Sequence, residues 1–358
     1  MNKYLIKSKI AEVYAGNLNE TNTNYYLGSD SSKVSEYILF IHGVATRFTR
    51  EQPNYANKLI EEITKVIGNS NNLKTISLYW GDVDKKPENQ LLAKLEDNQS
   101  CWQQLWFKKL RATTLLQFVG DAVAYISRKI GSEVVETLNQ QMIESGLDRA
   151  NAGERLHLVT HSWGTVILFD ILFAARWTDE KIPGYESAMA IRKRFYGIEP
   201  CPEEGISLAS IHTMGSPIAL FSLLDAVQGE EQAKGESELT QNQARQSANL
   251  DITPKLQYLL DNLSKNLNGN KLPWRNYIHP GDPVAWPLNP LIYSLIDGLT
   301  KIVDMQDVLT RINFLESLML PFSQTPLALM LDADTAHSKY WNSTQVAREI
   351  AKTIQQVS

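Results

Sequence analysis

Cysteine is scarce: Cys101 and Cys201 are the only two in a chain of 358 residues. They cannot build a disulfide framework, and such scarcity suits a reducing compartment. Positive excess is missing too. The formal net charge is −5 and no basic tract stands out, so no nucleic-acid partner is expected. No uncharged apolar run approaches membrane-spanning length. The opening residues, "MNKYLIKSKIAEVYAG", lack the apolar core and cleavage site of a signal peptide. These absences predict a cytoplasmic protein, with signal-independent export left open. No glycine-rich phosphate loop follows the first apolar run, because "HGVATRF" is neither a dinucleotide fingerprint nor a P-loop. No histidine pair has metal-ligand spacing. Neither a metal nor any other cofactor is expected.

What the chain does contain is an alternation of short β-rich runs with helical patterns. "YILFI" (37–41), "TISLYW" (75–80), "LHLVT" (156–160), "SLASIHT" (207–213), "WRNYI" (274–278) and "LALML" (327–331) have strand length. The first is apolar throughout, as in a strand buried on both faces of a parallel sheet. "NYANKLIEEITKVIG" puts Leu59, Ile63 and Val66 on one stripe, with Pro53 near its start and Gly68 at its stop. "TVILFDILFAARW" is apolar nearly all round and predicts a buried helix. "STQVAREIAKTIQQVS" is amphipathic, with Ser343 or Thr344 as its cap. The alternation predicts an α/β fold, a doubly wound and mostly parallel sheet in one domain spanning 1–358. Two segments exceed the needs of such a sheet. Residues 85–150 predict a helical lid or cap insertion. Residues 227–250, rich in Glu, Gln, Ala and Ser, predict an exposed loop.

At "LVTHSWGTVI" a strand passes through a sharp turn into a helix, and the turn centres on Ser162. This is the layout of a nucleophile elbow, which lifts a serine hydroxyl above the carboxyl end of its strand. Small residues are wanted two places to either side, where strand and helix backbones nearly touch. Gly164 fits; Thr160 stands where the motif has glycine. The bland alternative is a serine that only caps the helix. A serine nucleophile also needs a base, and that base an acid, following it in the order Ser, Asp or Glu, His. Asp282 lies in a Gly-Asp-Pro turn just after a strand run, and His337 follows the last run and precedes the last helix. Of six histidines, His42 and His161 flank motif turns, His157 and His212 lie inside strand runs, and His279 precedes the acid. Asp332 and Asp334 are rivals for the acid, with Asp282 preferred by position. Two backbone N–H groups must converge on the developing oxyanion. Trp163, next after the nucleophile, supplies one; Val44, after the tight turn at Gly43, is the candidate for the other.

Taken together, these landmarks resemble the α/β-hydrolase superfamily from about Ser35 to the C-terminus. They are most similar to serine esterases and lipases carrying His42-Gly43, His161-Ser162-Trp163-Gly164, Gly215-Ser216-Pro217, Asp282-Pro283-Val284 and a late His337. The resemblance implies a carboxylic ester hydrolase with a Ser162–His337–Asp282 triad. It also implies that His42, Gly43, His161, Gly215, Ser216 and Pro217 line the substrate site. A small-molecule or lipid ester is the expected partner. The segment 100–120, with Trp102, Trp106, Phe107 and Phe118 among Lys108, Lys109 and Arg111, is either a pocket wall or a peripheral membrane contact. "PLNPLIYSLIDGLTKIVDM" is a second apolar stretch suited to a pocket. The alternatives are an inert binding protein on the same fold, a thioesterase, an amidase or a peptidase. A dehalogenase would carry Asp where Ser162 stands.

Overall fold

A computed structural model describes residues 34–44, 53–68, 72–81, 93–94, 128–150, 153–173, 175–196, 206–219, 267, 270–289, 302–311 and 336–357. Six parallel strands form one sheet: β1 (Glu36–Ile41), β2 (Leu73–Leu78), β3 (Arg155–His161), β4 (Ser207–Met214), β5 (Leu272–Ile278) and β6 (Val303–Leu309), in the order β2-β1-β3-β4-β5-β6. β1 and β3 are covered on both faces and accordingly read as apolar runs. One face is packed by α1 (Asn57–Ile67) and α5 (Thr344–Val357), which bury Leu59, Ile63, Val346, Ile350 and Ile354 against Ile38, Phe40, Val159 and Tyr277. The other face carries α2 (Arg128–Glu144), α3 (Trp163–Phe173) and α4 (Tyr185–Tyr196). Val134, Leu138, Ile167, Phe169, Ile191 and Phe195 meet Leu39, Ile41, Leu156 and Leu158 there. This is the doubly wound α/β fold. Parallel neighbours joined by right-handed crossovers force α1 and α3 to opposite faces, because the chain leaves β1 in one direction along the sheet and β3 in the other. The reversal puts a crevice at the carboxyl ends of β1 and β3, the place where such sheets bind ligands.

Several sequence expectations change. Val66 is 40% exposed, because Ile67 rather than Val66 packs against the sheet at the end of α1. Ser343 caps α5, its Oγ accepting from Val346 N at 3.3 Å. β2 ends at Leu78, and Tyr79 and Trp80 run beyond it. β6 comes from "VDMQDVL", whose first residues belong to the apolar stretch expected to line a pocket. The run "LALML" and the loop 227–250 lie outside the described residues, as do Cys101, Cys201, Asp332 and Asp334 and the segment 100–120. Residues 128–144 of the expected insertion are α2, the crossover helix that fills the core between β2 and β3. Among the described residues no helix is long and apolar enough to cross a membrane.

A bulge in β4 gives the sheet an unusual interior. Leu156 pairs with Leu208 but His157 pairs with Ser210, so Ala209 is the extra residue. One extra residue reverses which face the following side chains take. Ser210 and His212 therefore join His157 on the α1/α5 face, and a buried chain of hydrogen bonds results. Glu36 only accepts, so His157 donates from Nε2 to it (2.9 Å), and His157 Nδ1 accepts from Ser210 Oγ (2.6 Å). Ser210 Oγ in turn accepts from His212 Nε2 (2.9 Å), and His212 Nδ1 accepts from the Tyr277 hydroxyl (3.0 Å). Every donor points towards Glu36, whose charge meets Arg155.

This chain makes stability depend on pH. Burial holds His157 below the usual histidine range despite Glu36, and burial with the neighbouring His157 and Arg275 holds His212 well below it. The unfolded chain takes up protons near pH 6.5 that the folded chain refuses. Unfolding free energy is therefore expected to fall as pH drops below about 6.5, by up to about 1.4 kcal/mol per pH unit for each such histidine. Burial raises the Glu36 carboxyl, but His157 and Arg155 outweigh it and bring it from 4.5 to about 2. Its contribution is present above pH 4.5 and is lost as pH falls towards 2. Thermal melts from pH 7.5 to 5 test this: Tm should decline with acid, and His212→Asn should flatten the slope. A Tm independent of pH over that range would contradict it.

Candidate active site

Ser162 is the one non-glycine residue with positive φ (54°) among those described. A left-handed serine is strained, and it persists where the surroundings fix it. Here Ser162 N donates to Met214 O at 2.9 Å, and Thr165 N donates to Ser162 O at 3.0 Å. The strand and helix approach so closely that a Cβ on Gly164 would lie 2.7 Å from the Ile41 carbonyl oxygen and closer still to that of His42. Thr160 is accommodated where glycine is usual: it is buried, and its hydroxyl pairs with that of Thr165 at 2.9 Å across the turn.

Ser162, His337 and Asp282 come together at the carboxyl edge of the sheet. His337 Nδ1 lies 2.9 Å from Asp282 Oδ2, and Nε2 lies 2.7 Å from Ser162 Oγ. A carboxylate can only accept, so Nδ1 carries the proton and Nε2 accepts from the serine hydroxyl. His337 was expected in a loop and sits instead in a helical turn that leads into a 3-10 turn, Lys339–Asn342. Asp282 closes its own turn, accepting from Val284 N at 2.9 Å through Oδ1 and donating its backbone N–H to His279 O at 2.9 Å. Beyond it the loop is tied to β6 by Asp307, which accepts from Leu288 N and Asn289 N at 3.0 Å each. Burial raises the Asp282 carboxyl, but the hydrogen bonds from His337, the Tyr340 hydroxyl and Val284 N–H outweigh it and hold it below its usual range.

Tyr340 went unnoticed in the sequence. Its hydroxyl donates to Asp282 Oδ2 at 2.7 Å and accepts from His279 N at 2.8 Å, which fixes the acid and its loop together. Burial and the Asp282 charge raise this phenol far above its usual range. A bond to a charged group is worth about 1.5–3 kcal/mol, so Tyr340→Phe is expected to slow turnover about tenfold to a hundredfold. Steady-state kinetics on the best substrate check this, and an unchanged kcat would remove Tyr340 from the site.

Two residues expected at the substrate surface, His42 and His161, have buried rings that hydrogen-bond to the backbone. The His42 ring is fully buried; its Nε2 accepts from Trp80 N at 3.1 Å and its Nδ1 donates to Gly43 O at 2.6 Å. It stacks on Trp80, whose indole N–H donates to His42 O at 3.0 Å. His42 thus locks the turn after β1. His161 is also buried, and its Nε2 lies 2.6 Å from His337 O. Gly43 presses on the nucleophile: a Cβ there would be 2.5 Å from Ser162 Cβ. Gly215, at φ 57°, leaves room for Asp282 and His337, since its Cβ would meet Asp282 Oδ2 at 2.9 Å and His337 Cε1 at 3.1 Å. Ser216 is buried, its Oγ accepting from Ile218 N at 3.3 Å, and Pro217 follows it. Val44 is half-buried after the β1 turn and Trp163 opens α3. Among the described residues no group of His, Cys, Asp and Glu could hold a metal ion.

No family model and no curated protein matches this sequence. Among solved structures, the RedJ thioesterase from the prodiginine biosynthetic pathway of Streptomyces coelicolor aligns with 90% of this chain and 87% of its own. The identity is 10% and the TM-score 0.32.

Proposed function

We propose that this chain is a serine hydrolase that cleaves carboxylic esters of small molecules or lipids through an acyl-enzyme. The observation that carries the proposal is the unbroken run of hydrogen bonds from Ser162 Oγ through His337 to Asp282. His337 removes the Ser162 proton as the hydroxyl oxygen attacks the ester carbonyl. Asp282 holds the ring in the tautomer that leaves Nε2 able to accept, and it stabilises the imidazolium that forms. The carbonyl oxygen becomes an oxyanion and takes hydrogen bonds from the Trp163 and Val44 amides, each worth roughly 3–4 kcal/mol in comparable sites. The positive end of α3 faces the same charge. Collapse of the intermediate breaks the carbon–oxygen bond, and His337 returns the proton to the departing alkoxide. Water then attacks the acyl group on Ser162, with His337 again the base, and releases the acid.

An apolar acyl group fits the aromatic and aliphatic character of residues 100–120 in the sequence. Thioesters and amides pass through the same intermediates, so they belong in the assay. The test is hydrolysis of a panel of p-nitrophenyl esters of increasing chain length, phospholipids, acyl thioesters and anilides, with Ser162→Ala as blank. Turnover of esters by the native protein alone is expected. Turnover confined to thioesters or anilides would replace the substrate class, and none with any of them would leave an inert binding protein on this fold.

A further inference from the structure

His161 is not used by the steps above, yet it bonds to the backbone of the base and packs against its ring. Its ring lies 4.7 Å from the His337 ring, 5.7 Å from Tyr340 and 5.5 Å edge-on to Trp341, so it contacts three residues of the turn that carries the base. A carbonyl only accepts, so the 2.6 Å contact fixes the proton on Nε2, donating to His337 O. Nδ1 is then a bare acceptor, buried and without a hydrogen-bond partner among the described residues. One nitrogen of this residue has a function, and the other is left unsatisfied at a cost. The function is geometric. Residue 161 ends β3 and is joined to Ser162 by a peptide bond, so one hydrogen bond refers the backbone of the base to the backbone of the nucleophile.

We infer that His161 is a positioning residue for the Ser162–His337 pair, setting the distance and angle at which His337 Nε2 meets the serine hydroxyl through its hold on the His337 carbonyl. This rests on the proposed triad. His161 must also stay neutral while its neighbour becomes an imidazolium. Burial and the adjacent His337 see to that, lowering it to about 3. An uncharged ring can pack against a base that gains charge in each cycle; a lysine or arginine there would repel it.

The amide nitrogen of glutamine falls where Nε2 was, and that of asparagine where Nδ1 was. The test compares His161→Gln, His161→Asn and His161→Met with the native protein and His337→Ala, in the rate of phosphonylation of Ser162 by a fluorophosphonate. Inactivation rate and reagent affinity are read separately on protein shown to be folded by near-UV circular dichroism. An ångström of misplacement in such a pair costs up to about a hundredfold. The Asn and Met variants are therefore expected to react about tenfold to a hundredfold more slowly with affinity unchanged, and Gln to stay within about threefold of native. Native rates in Asn and Met, or equal losses in Gln and Asn, would overturn the inference. So would failure of both the Asn and Met variants to fold, which would make His161 a purely structural residue. Failure of the triad itself looks different: native protein and His337→Ala would then react alike, or neither would react.

Discussion

Replacing Ser162 by alanine, His337 by alanine, or both together is expected to lower kcat by the same factor, about a million-fold. The equality matters more than the size. A nucleophile without its base and a base without its nucleophile are each idle, so the second deletion removes nothing further. Asp282→Asn is a different case. The amide keeps the shape but offers an N–H or a weaker acceptor to His337 Nδ1, so the ring loses the tautomer that 2.9 Å contact enforces. A loss of about ten-thousand-fold is expected, less than for the other two because the nucleophile and the oxyanion donors survive. These values are read from turnover of the best ester, with purified protein checked for trace contaminating esterase by comparison with the double variant. Losses that multiply in the double variant would mean that Ser162 and His337 act independently, contrary to the 2.7 Å bond between them.

The second large effect lies in two glycines and separates stability from activity. A methyl group on Gly164 would run into the carbonyl oxygens of Ile41 and His42, which are backbone atoms of a central strand and its turn. Nothing there can rotate away, so β1 and α3 must move apart. Gly164→Ala is expected to destabilise the fold by about 3 kcal/mol, the upper end for overpacking. Gly43→Ala meets the elbow itself, with Ser162 Cβ at 2.5 Å, its Oγ at 3.0 Å and the His161 carbonyl oxygen at 3.1 Å. The nucleophile is what must yield, so activity should collapse further than stability does. Urea unfolding and ester turnover measured on both variants decide the matter. A native unfolding midpoint for Gly164→Ala would contradict the close approach of strand and helix at the elbow.

Much of this arrangement was legible because it is written in local order. The elbow needs a strand, a serine and a helix in immediate succession, and the apolar runs on either side of Ser162 declare both elements. Asp282 and His337 were reachable because the fold delivers successive strand ends to one edge of the sheet. Tyr340 was not, since its value depends on a carboxylate 58 positions away that the sheet brings alongside. The inward direction of the His42 and His161 rings was not legible for the same reason. Proximity to a motif does not say which way a ring points, and here burial and backbone partners turn both inward. β6, the last strand of the sheet among the described residues, escaped notice because "VDMQDVL" carries partly exposed polar residues where β1 is apolar. The bulge at Ala209 was equally hidden. It breaks the alternation of "SLASIHT", and only the pairing with β3 reveals that His212 shares a face with His157.

The most direct measurement is peptide mass spectrometry of the folded protein after reaction with a fluorophosphonate, with and without detergent, beside His337→Ala. A single phosphonyl adduct on Ser162, absent from the histidine variant, is the expected result. It would establish a serine activated by His337. Folded protein left unmodified at Ser162 under both conditions, or modified there equally well without His337, would contradict a catalytic serine on this fold.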